Sequence, residues 1–312
     1  MRGADMTVQS IAGSGSILGE SPFWWPDEQA LYWCDIDGMA ILRLDPQGAI
    51  RRWPLPSQPG CIAPTDDGRL VVAMRDGLAL FDARTSALVR VAGPPYDPAL
   101  QRFNDGRCDA QGRLHVGTLV DARTPAAGRL YQLDPPARGG GPAQWTVLAG
   151  DRVVANGLAF SPDGRRLYWA DTRGHRIEVF DRDPVSGALG APTEWLRFDT
   201  REQSGGQRYG GRPDGAAVDV EGAYWVAMYE GSRVLRILPD GRIAREIALP
   251  VPAPTMPAFG GPGLRTLFIT TARGSPDARG MPSSPLAGTV FRVEVDVPGL
   301  PVQPFGVAPF LA

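Results

Sequence analysis

Arg102-Phe103-Asn104-Asp105-Gly106-Arg107-Cys108-Asp109-Ala110-Gln111-Gly112-Arg113-Leu114-His115-Val116-Gly117-Thr118-Leu119 is the stretch whose layout organises the chain. A polar segment with one cation, one amide and one carboxylate leads into a Gly-containing turn, and a short apolar strand follows. Asn104-Asp105-Gly106 suits a tight turn, because Asn and Asp hydrogen-bond nearby backbone and Gly accepts positive φ. Standing alone it would be an ordinary turn. It gains meaning because the same layout recurs along the sequence.

Working outward, strand-like runs begin at Leu31, Leu70, Leu114, Leu167, Tyr224 and Leu267. Most are followed, after a turn, by a second apolar run closing on Asp, as in Ala40 to Asp45, Ala79 to Asp82, Leu130 to Asp134 and Ile177 to Asp181. A period of roughly 40 to 50 residues with several strands per unit is the signature of a β-propeller blade. Six units predict an all-β, six-bladed propeller, one domain spanning residues 1–312. Gly139 to Pro142 and Gln203 to Gly211 read as inserted surface loops, and no long amphipathic helix is evident. A strand near Val8 to Ile11 is expected to join the last blade near Val290 to Val295 and close the ring.

Composition narrows the chemistry. A net charge of −2 argues against a nucleic-acid surface. No apolar run is long enough to span a bilayer, so no membrane partner is expected. Three cysteines (Cys34, Cys61, Cys108) cannot build a disulfide framework, and with no visible leader a reducing cytoplasm is the default. All 32 basic residues are Arg, which removes lysine Schiff-base chemistry and a Walker lysine. With only His115 and His175 there is no three-His zinc site, and no G-x-S-x-G elbow occurs. Hydrolysis would have to use carboxylates, amides, Arg and a metal held by oxygen.

Aligning the units on their strand starts places four polar residues ten or eleven positions upstream: Glu20, Asn104, Asn156 and Asp214. The other two units hold Gly60 or Cys61, and Met256 or Pro257, at that place. Equivalent blade positions converge on a propeller's axis, so the four would share one axial point, with Arg102 and Asp105 beside them. Carboxylate and amide oxygens suit a hard divalent cation. Each dipeptide taken singly, Asn156-Gly157 or Asp214-Gly215, is a plain turn signal. Matched register in four units is what favours a metal site. Asp35-Ile36-Asp37-Gly38 lacks the remaining positions of an EF-hand and reads as a hairpin turn.

With these segments in view, the chain resembles the senescence marker protein/gluconolactonase family, which includes regucalcin and bacterial sugar lactonases. The matching segments are Leu18 to Trp24, Arg102 to Gly117, Ala155 to Ser161, Arg212 to Gly215, and Ala258 to Gly261 with Thr270 to Arg273. The resemblance implies a six-bladed propeller with one axial divalent ion held by Glu20, Asn156 and Asp214. It implies Asp214 as acid/base, Arg102 and Asn104 as substrate contacts, and Asp105 close to the metal. The chain departs from the family where some members carry a substrate-binding Glu: Ala122 stands there, with Asp121 just before it. Asp121 is taken as the substrate contact from that loop. His115 replaces a common aromatic and reads as a packed strand residue, while His175 is expected in a solvent-facing hairpin turn.

The expected function is a metal-dependent lactonase opening an aldonolactone, gluconolactone-like or pentonolactone. Asp214 or Asp105, or the metal itself, would activate water, and Arg102, Asn104 and Asp121 would hold the sugar. Ca²⁺ is the first choice of ion, and Zn²⁺, Mn²⁺, Mg²⁺ and Fe²⁺ also accept oxygen ligands. The partner is a small-molecule sugar lactone, and the chain a monomer or small homo-oligomer. Two rivals share the scaffold: an organophosphate or aryl-ester hydrolase, and a non-enzymatic divalent-metal-binding regulator.

Overall fold

Short runs of alternating residues between Asp-Gly and Gly-Gly turns form six four-stranded antiparallel sheets. The computed structural model describes residues 7–307 except 125, 136–143, 206 and 275–283, so the loop expected at Gly139 to Pro142 lies outside the described residues. The innermost strands are Gly19–Trp25, Pro59–Pro64, Gln101–Cys108, Ala155–Phe160, Arg212–Val218 and Pro254–Gly260. Each pairs with the next strand in sequence, and the blade continues outward as a meander. The fold is a six-bladed β-propeller. Among the described residues the only helical element is a 3-10 turn at Pro262–Leu264.

The ring closes as expected. Gln9–Ser10 adds an outer strand to the sixth blade by pairing with Phe291–Glu294, Gln9 opposite Arg292 and Ser10 opposite Phe291. The Ile11 amide extends the contact by donating to the Val290 carbonyl (2.8 Å). The first blade is thereby tied to the last.

Packing follows from the period of two along each second strand. In Ala30–Asp35, Tyr32 faces the second blade and Trp33 faces the sixth, and both are fully buried. Tyr168 and Trp169 divide in the same way between the fifth and third blades. The buried apolar residues fall into six clusters, one at each interface between neighbouring blades. A sheet buried on both faces is therefore apolar at consecutive positions, which is why these strands read as unbroken apolar runs.

One expectation is corrected. Asn104-Asp105-Gly106 is a bulge inside the innermost strand of the third blade, where the pairing jumps between Phe103 and Gly106, and it is not a tight turn. All six inner strands carry such a jump, including Glu20 to Phe23, Asn156 to Ala159 and Pro213 to Ala216. A bulge and a turn share a preference for Asn, Asp and Gly because both need unpaired or left-handed backbone. His175 is also corrected: it lies in the hairpin turn but is half-buried against Tyr209. The Asp37 segment is the expected hairpin turn, and His115 is the expected packed strand residue. Cys34, Cys61 and Cys108 are buried free thiols.

Candidate metal and substrate site

The bulges decide where the polar side chains go. Glu20 and Asn156 are the last paired residues before their bulges, and Asn104 and Asp214 are the first residues within theirs. An extra residue at this place re-aims a side chain that would otherwise alternate into the blade interface. Gly157 adopts φ +60 immediately after Asn156, and a Cβ there would meet the Tyr224 hydroxyl and the Asp214 carbonyl. In the second blade Gly60 fills the comparable position, because the Phe103 carbonyl leaves no room for a side chain.

Three blades are stitched together by one run of hydrogen bonds. Arg102 Nη1 donates to Asn104 Oδ1 (2.6 Å) and to the Phe103 carbonyl (2.9 Å). Asn104 Nδ2 donates to Asn156 Oδ1 (2.6 Å) and to the Ala155 carbonyl (2.8 Å). Asn156 Nδ2 in turn donates to Asp214 Oδ1 and to Thr172 Oγ1 (2.8 Å). Glu20 approaches from the first blade, with the Ser21 amide donating to its Oε2 (3.3 Å). None of Glu20, Arg102, Asn104, Asn156 or Asp214 is more than 8% exposed.

Burial raises the Glu20 carboxyl well above its ordinary range, and repulsion from Asp214 and Asp105 raises it further. The Asp214 carboxyl is raised for the same two reasons, burial and then Asp105. Asp105 is pushed up to about 6 by burial, against the pull of Arg107 and of the Leu158, Gly106 and Gly157 amides. Three buried carboxylates that repel one another are a site in want of a cation. Arg102 answers only partly. Its own pKa is pushed down to about 10, by burial and then by the neighbouring Arg123.

A polar cavity of about 290 Å³ opens over these residues at one end of the channel. Glu20, Arg102, Asn104, Asn156 and Asp214 line it, and Asp121 stands at its rim. Asp105 does not line it. Its Oδ2 accepts from the Leu158 amide (2.7 Å), and its buried Oδ1 has no hydrogen-bond partner. Asp121 is 45% exposed and holds both Arg75 Nη atoms at 2.9 Å. Among the described residues no three His, Cys, Asp or Glu side chains form a metal-binding group. The donor set for an ion is thus two carboxylates and an amide, Glu20, Asp214 and Asn156, and that oxygen chemistry fits a hard divalent cation.

Sequence reading missed most of the cavity wall. Asp37, Arg75 and Arg173 come from the hairpins that follow the second strands of the first, second and fourth blades, and Arg123 from the loop after that of the third. Their signal was positional, one short connection per blade at the same end of the channel. The chain matches the SMP-30/gluconolactonase/LRE-like region over residues 18–273.

It belongs to that family.

The 6-deoxy-6-sulfogluconolactonase of Pseudomonas putida is 42% identical over 94% of this chain and 96% of its own length. The L-arabinolactonase of Azospirillum brasilense is 32% identical over 96% of this chain and 95% of its own. Among solved structures, a calcium-binding protein, regucalcin, from Agrobacterium tumefaciens superposes with a TM-score of 0.85 at 27% identity, covering 96% of this chain and 97% of that one. Family membership accounts for the matched segments, four of which, Leu18 to Trp24, Arg102 to Gly117, Ala155 to Ser161 and Arg212 to Gly215, carry the bulge residues described above.

Proposed function

We propose that this member of the family is a metal-dependent lactonase that opens the cyclic ester of an aldonic acid, of the gluconolactone or pentonolactone kind. The reading is carried by the convergence of Glu20, Asn156 and Asp214 from three blades on the floor of one polar cavity. Relatives named for sulfogluconolactone and arabinolactone hydrolysis support it. Glu20, Asn156 and Asp214 would hold the ion, Ca²⁺ first, which when bound supplies Lewis acidity and lowers the pKa of water.

The chain's own residues do the rest. Asp214 takes the proton of the attacking water, the part of a general base at the floor of the cavity. Asp105 acts from beneath the floor, anchored by the Leu158 amide, and sets the charge felt by Asp214. Arg102 and Asn104 hold sugar oxygens, and their mutual hydrogen bond fixes both. Asp121, oriented by Arg75, offers an acceptor at the rim. The buried free thiols fit a cytoplasmic location.

A substrate panel tests the reading against its rivals. Aldonolactones should be opened faster than aryl esters or phosphotriesters by the same metal-loaded protein. Preferential cleavage of the phosphotriester would replace the lactonase reading, and metal binding without turnover of any of them would favour a regulator.

A further inference from the structure

Five of the six second strands carry a buried Leu at the same place: Leu31, Leu70, Leu114, Leu167 and Leu267. The fifth blade carries Tyr224 there, just as buried. Its ring packs between the fourth and fifth blades, against Tyr168 (5.1 Å between centroids) and Trp195 (5.8 Å). A Leu would fill such an interface without bringing a polar atom, and a buried hydroxyl costs stability unless it finds a partner. Packing alone does not account for the tyrosine.

The partner of its hydroxyl is the bulge of the fourth blade. Pairing of Ala155–Phe160 with the next strand skips from Asn156 to Ala159, which leaves Gly157 and Leu158 out of the ladder. Side chains of the two flanking blades take over their backbone groups. The Tyr224 hydroxyl donates to the Gly157 carbonyl (2.7 Å), the Leu158 amide donates to Asp105 Oδ2 (2.7 Å), and Arg107 Nε donates to the Leu158 carbonyl (2.9 Å). Gly157 is matched to this arrangement, since its φ is +60 and a Cβ there would collide with the Tyr224 hydroxyl. A bulge re-aims the side chains beside it, and this one sits immediately after Asn156.

We infer that Tyr224 is a positioning residue of the site: its hydroxyl holds the bulge that aims Asn156 into the cavity and keeps the Leu158 amide on Asp105. Tyr224 does not itself line the cavity. The consequence for the ion rests on the lactonase reading, and the hold on the bulge does not.

Tyr224→Phe deletes the hydroxyl and keeps the ring. The control is Tyr32→Phe, which deletes a hydroxyl bonded to Glu28 (2.7 Å) in the first blade. Calorimetric titration of the metal-stripped proteins with Ca²⁺ and with Mn²⁺ reads the aim of Asn156. Affinity should be about tenfold or more weaker in Tyr224→Phe, the scale of loss when a group that orients a metal ligand is removed, and unchanged in Tyr32→Phe. Hydrogen exchange of the Leu158 amide, followed by NMR without metal, reads the bulge directly and should be about tenfold faster in Tyr224→Phe alone. Unchanged Leu158 exchange, or unchanged affinity for an ion that the unaltered protein binds, would make Tyr224 a packing residue and overturn the inference even if Tm falls. If the unaltered protein binds neither ion, the metal-dependent lactonase reading fails on its own account, and Leu158 exchange alone decides whether Tyr224 holds the bulge.

Discussion

Asp214 and Asp105 are both buried, but only Asp214 lines the cavity and joins the hydrogen-bond run through Asn156. On the roles proposed for Asp214, Asp214→Asn removes a charged ligand and a proton acceptor together, so metal affinity should fall and kcat should drop by about 10² or more. Asp105→Asn should leave metal binding largely intact and lower the rate, because Asp105 touches the Leu158 amide beneath the floor. Calorimetric metal titration of the two variants decides, and equal loss of metal in both would make Asp105 a ligand. Arg102 is held by Asn104 and the Phe103 carbonyl through a single nitrogen, Nη1. Arg102→Lys loses the planar fork, and kcat/KM for polyhydroxylated lactones should fall by about tenfold, roughly 1.4 kcal/mol. An unsubstituted lactone should lose less, and equal losses would make Arg102 a scaffold residue. At this scale Glu20, Asn104, Asn156 and Asp214 were legible in the sequence because a repeat exposes its own register. Thr172 and Arg173 were not, since a hairpin residue carries no periodic mark of which way it faces.

The turn after the third blade's inner strand is a small machine for holding charge. Asp109 Oδ1 accepts from the Gln111 amide (2.9 Å) and the Arg113 amide (3.0 Å). Its Oδ2 takes Arg113 Nε (2.6 Å), Arg182 and the Nε2–H of His115 (3.1 Å). Burial alone would raise this carboxyl, but the hydrogen bond and charge of His115, followed by Arg113, hold it below the usual carboxylate range. Burial pushes the His115 imidazole down, opposed by Asp109. The signs agree. The Asp109 contribution is present above the unfolded carboxylate pKa of about 3.9 and is lost as pH falls through the folded value. His115 resists a proton that the unfolded chain accepts below about 6.5, so acidification costs stability there as well. Thermal midpoints should therefore decline from pH 7 to pH 5, and His115→Gln should flatten part of that decline, the half-buried His175 supplying the rest. An unchanged slope in the variant would contradict the assignment. Asp109→Asn, which strands Arg113 and Arg182, should cost about 3 kcal/mol. The element types were readable here, because Asp-x-x-Gly turns and period-two strands are local. The bulges were not, because the same residues favour turns and only pairing across strands tells the two apart.

At the scale of the whole molecule, six interfaces share the burial and one terminal strand closes the ring. Gln9–Ser10 makes only a short pairing with Phe291–Glu294, yet it joins the first blade to the last. Removing residues 1–11 should lower Tm by several degrees, at roughly 1.5 °C for each kcal/mol in a chain of this size. A Tm that does not move would mean the other contacts between the first and sixth blades, such as Trp24 stacked on Phe268, hold the ring alone. Blade number and closure were legible because the repeat fixes the count and leaves one strand over. The rest of the cavity wall was not, since it is assembled from connections of four blades far apart in sequence. The site exists only because the ring brings those blades to one axis, where Glu20, Asn156 and Asp214 are proposed to hold jointly one ion needed for lactone opening. The most direct measurement is a pH-indicator assay of gluconolactone with metal-stripped protein, reloaded with Ca²⁺, Mg²⁺, Mn²⁺, Zn²⁺ or Fe²⁺ in turn. The account predicts turnover near background without metal and recovery on reloading, with Glu20→Gln needing far more metal for the same rate. Full turnover by the stripped protein would contradict it.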